Sequence, residues 1–360
     1  MPKESFKLFE DFSESEDEDI DDKKSTLPFI EKYRPASLDE MISHTEIIST
    51  FKLFIKDGNM PHVLLYGPPG TGKTSAILAC ATEMYGTNKN FMVMELNAAS
   101  DDRGIDVVRT KIKQFVSSDN AFYRMSIGDK AQDAFKLVIL DEIDAMTDDA
   151  QAILRQVIEK YTSNARFCLI CNYIKKINKA LQSRCIVFRF SPLNKDQMRQ
   201  RLNYVIEKEN INITEDGIKA ILTKSGGDMR KVLNMTQSAN MICDKIDESS
   251  INTCFGYPQK KQIKIILKAL IDDDIKSSTN LLLDIIQDQG LSLSDVINEL
   301  YIYLTEYVIN EKSIISSIQK LSHTNIANIL NKMRLVEYNH LISTNDNIHS
   351  AALAAVFKIR

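Results

Sequence analysis

Short apolar runs alternate with amphipathic stretches through the first half of the chain. Five runs rich in Val, Ile, Leu and Phe have the composition and length of buried strands. They span residues 62–67, 91–97, 137–142, 166–172 and 186–190. Segments with helical spacing lie between them. This alternation predicts a parallel sheet with helices on both faces, in which the strand ends share one edge suited to ligand binding.

The pattern of apolar positions changes after Pro192. From there the chain shows only helical periodicity, and the helices become longer after Pro258. We therefore predict an α/β domain, then a small helical domain, then a larger helical domain whose Leu- and Ile-rich helices suit packing against other chains. The predicted bounds of these domains are 28–192, 193–255 and 256–360, after a separate N-terminal segment at 1–27.

Acidic side chains are concentrated at the N-terminus. The whole chain has a net charge of −4, and its first 24 residues, with ten acidic and four basic side chains, contribute −6, which leaves +2 for the remainder. A charged segment with few large apolar residues cannot offset the entropy lost on ordering, so 1–27 is predicted to be a disordered acidic tail. The nearly neutral remainder neither indicates nor excludes nucleic-acid binding, which would require a local basic stripe.

Neither secretion nor membrane insertion is predicted. The first residues lack a basic and then apolar signal pattern, and no apolar run approaches the roughly 20 residues of a membrane helix. Cys168 and Cys171 form the one CxxC pair, within the predicted strand at 166–172. A metal or redox pair needs both sulfurs on one accessible side, so we interpret this pair as structural. The sequence therefore predicts a soluble intracellular protein with reduced thiols.

The strongest chemical signal follows the first predicted strand. Residues 67–74 match the GxxxxGK[ST] pattern at every position, between a strand and a helix. Glycines let backbone N–H groups surround phosphate oxygens, and the helix contributes the positive end of its dipole. Lys73 is predicted to neutralise the β- and γ-phosphates, and the Thr74 hydroxyl to bind Mg²⁺. The nucleotide-binding residues predicted here are Gly67, Pro68, Pro69, Gly70, Thr71, Gly72, Lys73, Thr74 and Ser75.

Two acidic residues, Asp141 and Glu142, follow the predicted strand at 137–142. Asp141 is predicted to hold Mg²⁺ through its water shell, and Glu142 to orient or deprotonate the attacking water. By itself such a pair could be a solvated acidic turn, but an intact phosphate loop upstream favours catalysis. Asn172 ends the next strand, where it is either a turn residue or a ligand of the γ-phosphate and the water.

Several further motifs occur in order along the chain. They are EKYRP at 31–35, NAASDDRGI at 97–105, DEID at 141–144, SRC at 183–185 and GGDMRK at 226–231. Together they closely resemble the small subunits of replication factor C, an AAA+ clamp loader, from about residue 28 to the C-terminus. Within that family, the stretch 166–185 is most similar to the subunit numbered five in human and three in yeast.

The resemblance implies a complete architecture and a reaction. The domain at 28–192 would be an AAA+ domain, 193–255 its helical lid and 256–360 a helical collar. Four other replication factor C subunits would complete a ring that holds ATP and Mg²⁺ between neighbours. The ATPase would open the sliding clamp (PCNA), grip primer–template DNA and release the closed clamp on hydrolysis, in replication and repair in the nucleus.

The resemblance also implies roles for single residues. Tyr33 and Arg34 match residues beside the base and sugar of the nucleotide, Asn172 the sensor-1 asparagine and Arg230 the sensor-2 arginine of the lid. Arg184 matches the arginine finger, which acts on the ATP of a neighbouring subunit. The planar, permanently charged guanidinium suits the phosphate oxygens of the transition state.

Contact with DNA is predicted from a basic cluster after the second strand. Arg103, Arg109 and Lys113 match a region that lines the inner wall of the ring in this family. Arg109 and Lys113 are four residues apart and so share one helical face. Contacts of this kind with backbone phosphates supply affinity without sequence preference. A solvated helical face is the alternative for each residue.

The chain departs from the family pattern at three places. Gln156 stands where a second arginine is typical, which puts one basic contact in doubt. Ile143 alters the usual DEAD pattern but leaves both acids intact. The segment 118–135 is longer than expected and is predicted to be an inserted loop facing the clamp.

Two other functions remain open from the sequence. A different AAA+ remodeller, such as a helicase loader, would lack the combined motifs at 33–35, 100–104 and 183–185. A nucleotide-binding structural subunit with little turnover of its own is also possible, because hydrolysis depends on the finger of a neighbour.

Overall fold

The structure is a computed structural model. It describes residues 27–99, 105–117, 135–310, 318, 321–343 and 345–358. Residues 1–26 of the predicted acidic tail and residues 118–134 of the predicted loop lie outside the described residues.

Two compact units make up the chain. Among the described residues, the first comprises those up to Ile211 together with Ile221–Ser238, and the second comprises Asn212–Ala220 and those from Ala239 onward. The candidate nucleotide-binding residues all belong to the first unit, so the fold is described mainly for that unit.

A parallel sheet with the strand order β2-β3-β4-β1-β5 forms the centre of the first unit. The described strands are β1 (Val63–Tyr66), β2 (Val93–Asn97), β3 (Lys136–Asp141), β4 (Ala165–Cys171) and β5 (Ile186–Arg189). Each lies within two residues of its predicted bounds. The predicted α/β class with a parallel sheet is therefore confirmed.

The first unit also contains helices, several of which flank this sheet. They are α1 (Phe29–Lys32), α2 (Thr45–Asp57), α3 (Lys73–Tyr85), α4 (Lys89–Met92), α5 (Ile105–Ser117), α6 (Asp148–Tyr161), α7 (Lys179–Gln182) and α8 (Lys195–Glu209). Side chains cap several of them, as at the start of α8, where Asn194 and Gln197 form a reciprocal capping box. The next two helices, α9 (Glu215–Ser225) and α10 (Met229–Ile242), each contain residues of both units.

The sheet has a hydrophobic core on each face. Val63 and Leu65 belong to one core and Leu64 to the other, because successive side chains of a strand point to opposite faces. Cys168 and Cys171 are separated in the same way and are buried in different cores. Burial raises the pKa of both thiols, to about 12 for Cys171. Two thiols on opposite faces cannot bind one metal ion, which agrees with the structural role predicted for them.

The described helices of the second unit pack together through apolar side chains. Those beyond α10 are α11 (Glu248–Cys254), α12 (Lys260–Asp272), α13 (Ile275–Gln289), α14 (Leu293–Asn310), α15 (His323–Ile342) and α16 (Asp346–Lys358). Their buried face is mostly Ile, Leu and Val. No helix among the described residues is both long and apolar enough to cross a lipid bilayer.

A buried histidine at the start of β1 makes the stability of the first unit depend on pH. His62 accepts a hydrogen bond at Nδ1 from the Phe167 N–H (3.1 Å), and its Nε2 lies 3.3 Å from Thr162 Oγ1. Burial, with a smaller contribution from the Arg166 charge, lowers the pKa of His62 to about 4. The folded protein therefore keeps this imidazole neutral down to about pH 4, since a ring protonated at both nitrogens could not accept from Phe167.

We expect acid to destabilise the fold through this residue. Between pH 6.5 and pH 4, His62 is protonated in the unfolded chain but neutral in the folded protein. The free energy of unfolding that is present above pH 6.5 is therefore lost progressively as the pH falls towards 4. Between pH 7 and pH 5 this loss is about 2 kcal/mol. Urea unfolding of the unmodified chain and of His62→Gln measures it, since the variant should lose less stability by about that amount. Equal losses in both chains would contradict the assignment.

Candidate nucleotide-binding site

The loop between β1 and α3 needs glycine because other groups approach its backbone closely. A Cβ atom added to Gly67 would lie 2.0 Å from the Phe190 carbonyl oxygen, and one added to Gly70 would lie 1.6 Å from Asp228 Oδ1. Both glycines also have positive φ angles. The loop is thus held between β5 and the start of α10, with its N–H groups next to the N-terminus of α3. Such a loop is an anion-binding cradle.

Lys73, the first residue of α3, places a buried cation in this cradle. Its Nζ donates to the carbonyl oxygens of Gly67 (2.7 Å) and Pro68 (2.9 Å), and to Asn172 Oδ1 (3.1 Å). The residue is only 7% exposed. Burial lowers the pKa of Lys73, an effect that the Asp141 carboxylate opposes. Three neutral oxygens compensate the ammonium only in part, so an anion in the cradle would be strongly stabilised.

The two predicted magnesium ligands are in direct contact. Thr74 Oγ1 donates to Asp141 Oδ2 at 2.7 Å, and the other carboxylate oxygen accepts from the Glu142 N–H at 2.8 Å. Hydroxyl and carboxylate oxygens beside a phosphate cradle are the donors that Mg²⁺ prefers. This donor set therefore fits the metal.

Glu142 has an unusual backbone conformation. Its φ angle is 55°, in the left-handed region that non-glycine residues seldom adopt. Glu142 is the first residue after β3. Its side chain is exposed and lines the cavity beside the loop. Strain of this kind recurs at functional sites, where the surrounding structure stabilises it.

One cavity collects most of the predicted residues. It is lined by Tyr33, Arg34, Pro69, Gly70, Thr71, Gly72, Lys73, Thr74, Ser75, Asp141, Glu142, Asn172 and Arg230. These residues come from the segment after α1, the loop and the start of α3, the ends of β3 and β4, and the start of α10. Among the described residues predicted for nucleotide binding or catalysis, Gly67, Pro68 and Arg184 do not line it. The first two support the cavity from behind, through their contacts with Lys73.

Sequence reasoning missed part of the cavity wall. Arg201 and Gln197 of α8 line it, as do the apolar side chains of Met41 and Leu233. Arg201 donates through Nη2 to the Tyr33 carbonyl oxygen at 2.7 Å. No local motif marks these residues, because the fold alone brings them next to the loop. Asp228 belongs to the GGDMRK motif at 226–231, but the motif does not indicate that its side chain lies next to the phosphate loop.

The predicted arginine finger lies elsewhere on the first unit. Arg184 forms an ion pair with Glu159 of α6 and donates through Nη1 to the Ala180 carbonyl oxygen at 2.6 Å. Its side chain is about one-third exposed. The finger is therefore outside the cavity of its own chain.

The predicted DNA contacts are only partly within the described residues. Arg103 lies outside them. Arg109 and Lys113 are both on α5, and the structure describes the side chain of Lys113, which is half-buried. Their role stays a prediction.

Three family models match successive parts of the chain. The model of the ATPase family associated with various cellular activities (AAA) matches residues 63–193. The RCF1/5-like AAA+ ATPase lid domain matches residues 200–241, and the replication factor C C-terminal domain matches residues 258–356. An ATPase domain is thus followed by a lid domain and by a C-terminal domain that is named for replication factor C.

Similar curated proteins align over nearly the whole chain. Replication factor C subunit 5 of Homo sapiens is 46% identical over 335 residues, which are 92% of each protein. Replication factor C subunit 3 of Schizosaccharomyces pombe is 44% identical (93% of this chain, 92% of the relative), and that of Saccharomyces cerevisiae is 41% identical (93% and 94%). The chain belongs to the replication factor C small-subunit family.

This membership confirms the resemblance inferred from the motifs, including the similarity to the human subunit numbered five and the yeast subunit numbered three. As a replication factor C subunit, the chain has an AAA+ ATPase domain that binds nucleotide, and it is part of a multi-subunit complex. Clamp loading in DNA replication is the role of this family. The alternative of a different AAA+ remodeller is therefore removed.

Proposed function

We propose that the chain binds ATP and Mg²⁺ in the cavity beside the phosphate loop and acts in the nucleus as an ATP-hydrolysing subunit of replication factor C. With four other subunits it would load the sliding clamp (PCNA) onto primer–template DNA. The observation that carries the proposal is the buried Lys73 in a glycine cradle, next to the paired Thr74 and Asp141. Few ligands other than a magnesium-bound polyphosphate require all of these groups together.

Each group has a distinct task in this proposal. Lys73 exchanges neutral carbonyl partners for charged phosphate oxygens, with which an ammonium forms stronger hydrogen bonds. Thr74 and Asp141 hold Mg²⁺, which when bound offsets the charge of the phosphates. Glu142 orients the attacking water and accepts its proton. Asn172, hydrogen-bonded to Lys73, holds that ammonium from the side of β4.

Hydrolysis would also require a neighbouring subunit. Among the described residues lining the cavity, Arg34, Lys73, Arg201 and Arg230 are the arginines and lysines. Arg184 is not one of them and is partly exposed. We propose that Arg184 acts on the ATP of the next subunit and that this chain receives a finger in return. Dependence on a finger supplied in trans would couple hydrolysis to correct assembly.

Replacing Arg184 by alanine tests this arrangement. We expect ATP affinity at the chain's own site to stay within about twofold, because Arg184 does not line it. At the site that receives the finger, hydrolysis should fall by about 1000-fold, the typical contribution of an arginine finger. The clamp- and DNA-stimulated ATPase rate of the assembled complex would fall by the amount that this one site contributes. Lys179→Ala, an exposed cation on the adjacent α7, is the control. Undiminished turnover in Arg184→Ala complexes would contradict the proposal.

Affinity purification with identification of the co-purifying chains tests the proposed assembly. Four related ATPases together with the clamp would support it. Recovery of a homo-hexamer alone would overturn it.

A further inference from the structure

We infer that Glu209, at the C-terminal end of α8, is a positioning residue that sets where Tyr33 stands in the nucleotide-binding cavity. Glu209 is not among the described residues that line the cavity. It would act on the nucleotide only through Tyr33. The inference rests on the proposed nucleotide binding and adds to it a determinant of affinity for the nucleoside part of the ligand.

The Glu209 carboxylate receives two donors from one short stretch of chain. The Tyr33 hydroxyl donates to Oε1, and Lys32 Nζ lies 2.7 Å from the same oxygen. The side chains of Lys32 and Glu209 are 27% and 20% exposed, so water competes only partly for these contacts. Burial would raise the pKa of Glu209, but the bonds from Lys32 and Tyr33 together lower it. Burial and the bond to Glu209 raise the pKa of Tyr33. The hydroxyl therefore remains a donor and the carboxylate remains charged.

Other residues of α8 hold Tyr33 at different points. The Arg201 guanidinium donates to the Tyr33 carbonyl oxygen and also lies over the ring of Tyr204, 5.2 Å from its centroid. The ring of Tyr204 meets the ring of Tyr33 edge to face, with centroids 6.1 Å apart. One helix thus contacts the carbonyl group, the ring and the hydroxyl of Tyr33. With three points of attachment, the orientation of this residue follows that of α8.

The start of the same segment is attached to α10. The Phe29 N–H donates to Gln237 Oε1 at 3.0 Å, and the Phe29 ring packs edge to face on Tyr33 at 5.7 Å. Arg34, the next residue, pairs with Glu31 at 3.4 Å, and both line the cavity. This wall of the cavity is therefore built on α8 and α10 and not on the sheet.

The phosphate cradle also touches the start of α10, where the Met229 N–H donates to the Gly70 carbonyl oxygen, but its other described bonds lie elsewhere. Lys73 bonds to Gly67, Pro68 and Asn172, which lie at the ends of β1 and β4. None of the described contacts of Glu209 involves these residues. Release of Tyr33 from Glu209 should thus weaken binding of the nucleoside end and leave binding of the phosphates unchanged.

Two probes distinguish a positioning role from general damage to the site. ATP uses both the wall and the cradle, whereas inorganic tripolyphosphate uses only the cradle. In calorimetric titrations of the full-length chain with Mg²⁺ present, Glu209→Ala should raise the Kd for ATP about 10-fold. The Kd for tripolyphosphate should stay within about twofold. Glu209→Gln keeps an acceptor for Tyr33 but loses the charge that attracts Lys32, so its effect should be intermediate.

Two further variants complete the design. Glu207→Ala removes an exposed carboxylate from the same helix and should bind both probes as the unmodified chain does. Tyr33→Phe removes the donor, so adding it to Glu209→Ala should weaken ATP binding little beyond the single change.

Two results would overturn the inference. One is unchanged ATP affinity in Glu209→Ala, and the other is equal weakening of ATP and tripolyphosphate. An unmodified chain that binds neither probe would instead overturn the proposed function, and this inference with it.

Discussion

Glu142→Gln complexes are expected to hydrolyse ATP at this site at least about 100-fold more slowly, while the Kd for ATP changes less than about threefold. Glutamine keeps the size of the side chain and can still contact water, but it cannot accept a proton. Glu142 is exposed in the cavity, and its polar contacts among the described residues are made by its backbone, from its N–H to Asp141 and from the Ala145 N–H to its carbonyl oxygen. Binding should therefore persist without the residue. Single-turnover hydrolysis and equilibrium binding, measured on the same preparation, separate the two effects.

Asp144→Asn is the matched control for this experiment. Asp144 is the nearby acid of the same motif, but its Oδ2 accepts from the Tyr173 N–H at 3.3 Å, and it does not line the cavity among the described residues. Its variant should hydrolyse ATP at nearly the normal rate. If Glu142→Gln leaves clamp-stimulated turnover of the complex unchanged, the chain is a nucleotide-binding structural subunit, the alternative that family membership leaves open.

Lys73→Ala is expected to raise the Kd for ATP about 100-fold, a loss of about 2.7 kcal/mol of binding free energy. The substitution removes the buried cation that the phosphates would meet, and it leaves the Gly67 and Pro68 carbonyl oxygens without this donor. Calorimetric titration with ATP in the presence of Mg²⁺ measures the change. Lys56→Ala, which removes an exposed lysine near the end of α2, should bind as the unmodified chain does.

The same variant gives the broadest test of the proposed function. Because Lys73 contributes to binding of the phosphates, Lys73→Ala should weaken ATP and tripolyphosphate alike, in contrast to Glu209→Ala. Normal ATP binding by Lys73→Ala would mean that the glycine cradle does not hold the triphosphate, and the assignment of the cavity would fail.

The sequence by itself determined the sheet and the chemical character of the site. The strands could be predicted because continuous apolar runs such as β3 and β4 are buried on both faces, a property of neighbouring residues along the chain. The phosphate loop and the acids at 141 and 142 could be predicted because each is a contiguous motif at the end of such a run.

Only the tertiary structure decided which of these residues meet. The strand order places β4 between β3 and β1, so Asp141, Asn172 and Lys73 come together although they are widely separated along the chain. Spacing in the sequence does not specify that order.

The contacts of Arg184 and Glu209 are even harder to predict from the sequence. The sequence motif of Arg184 does not reveal that it pairs with Glu159 outside its own cavity, and nothing near Glu209 in the sequence indicates a bond to Tyr33. Both contacts join elements that are distant along the chain. Periodicity and short motifs report only on neighbours in sequence, whereas the packing of α8 against the segment at 29–35 is decided by the burial of side chains from both.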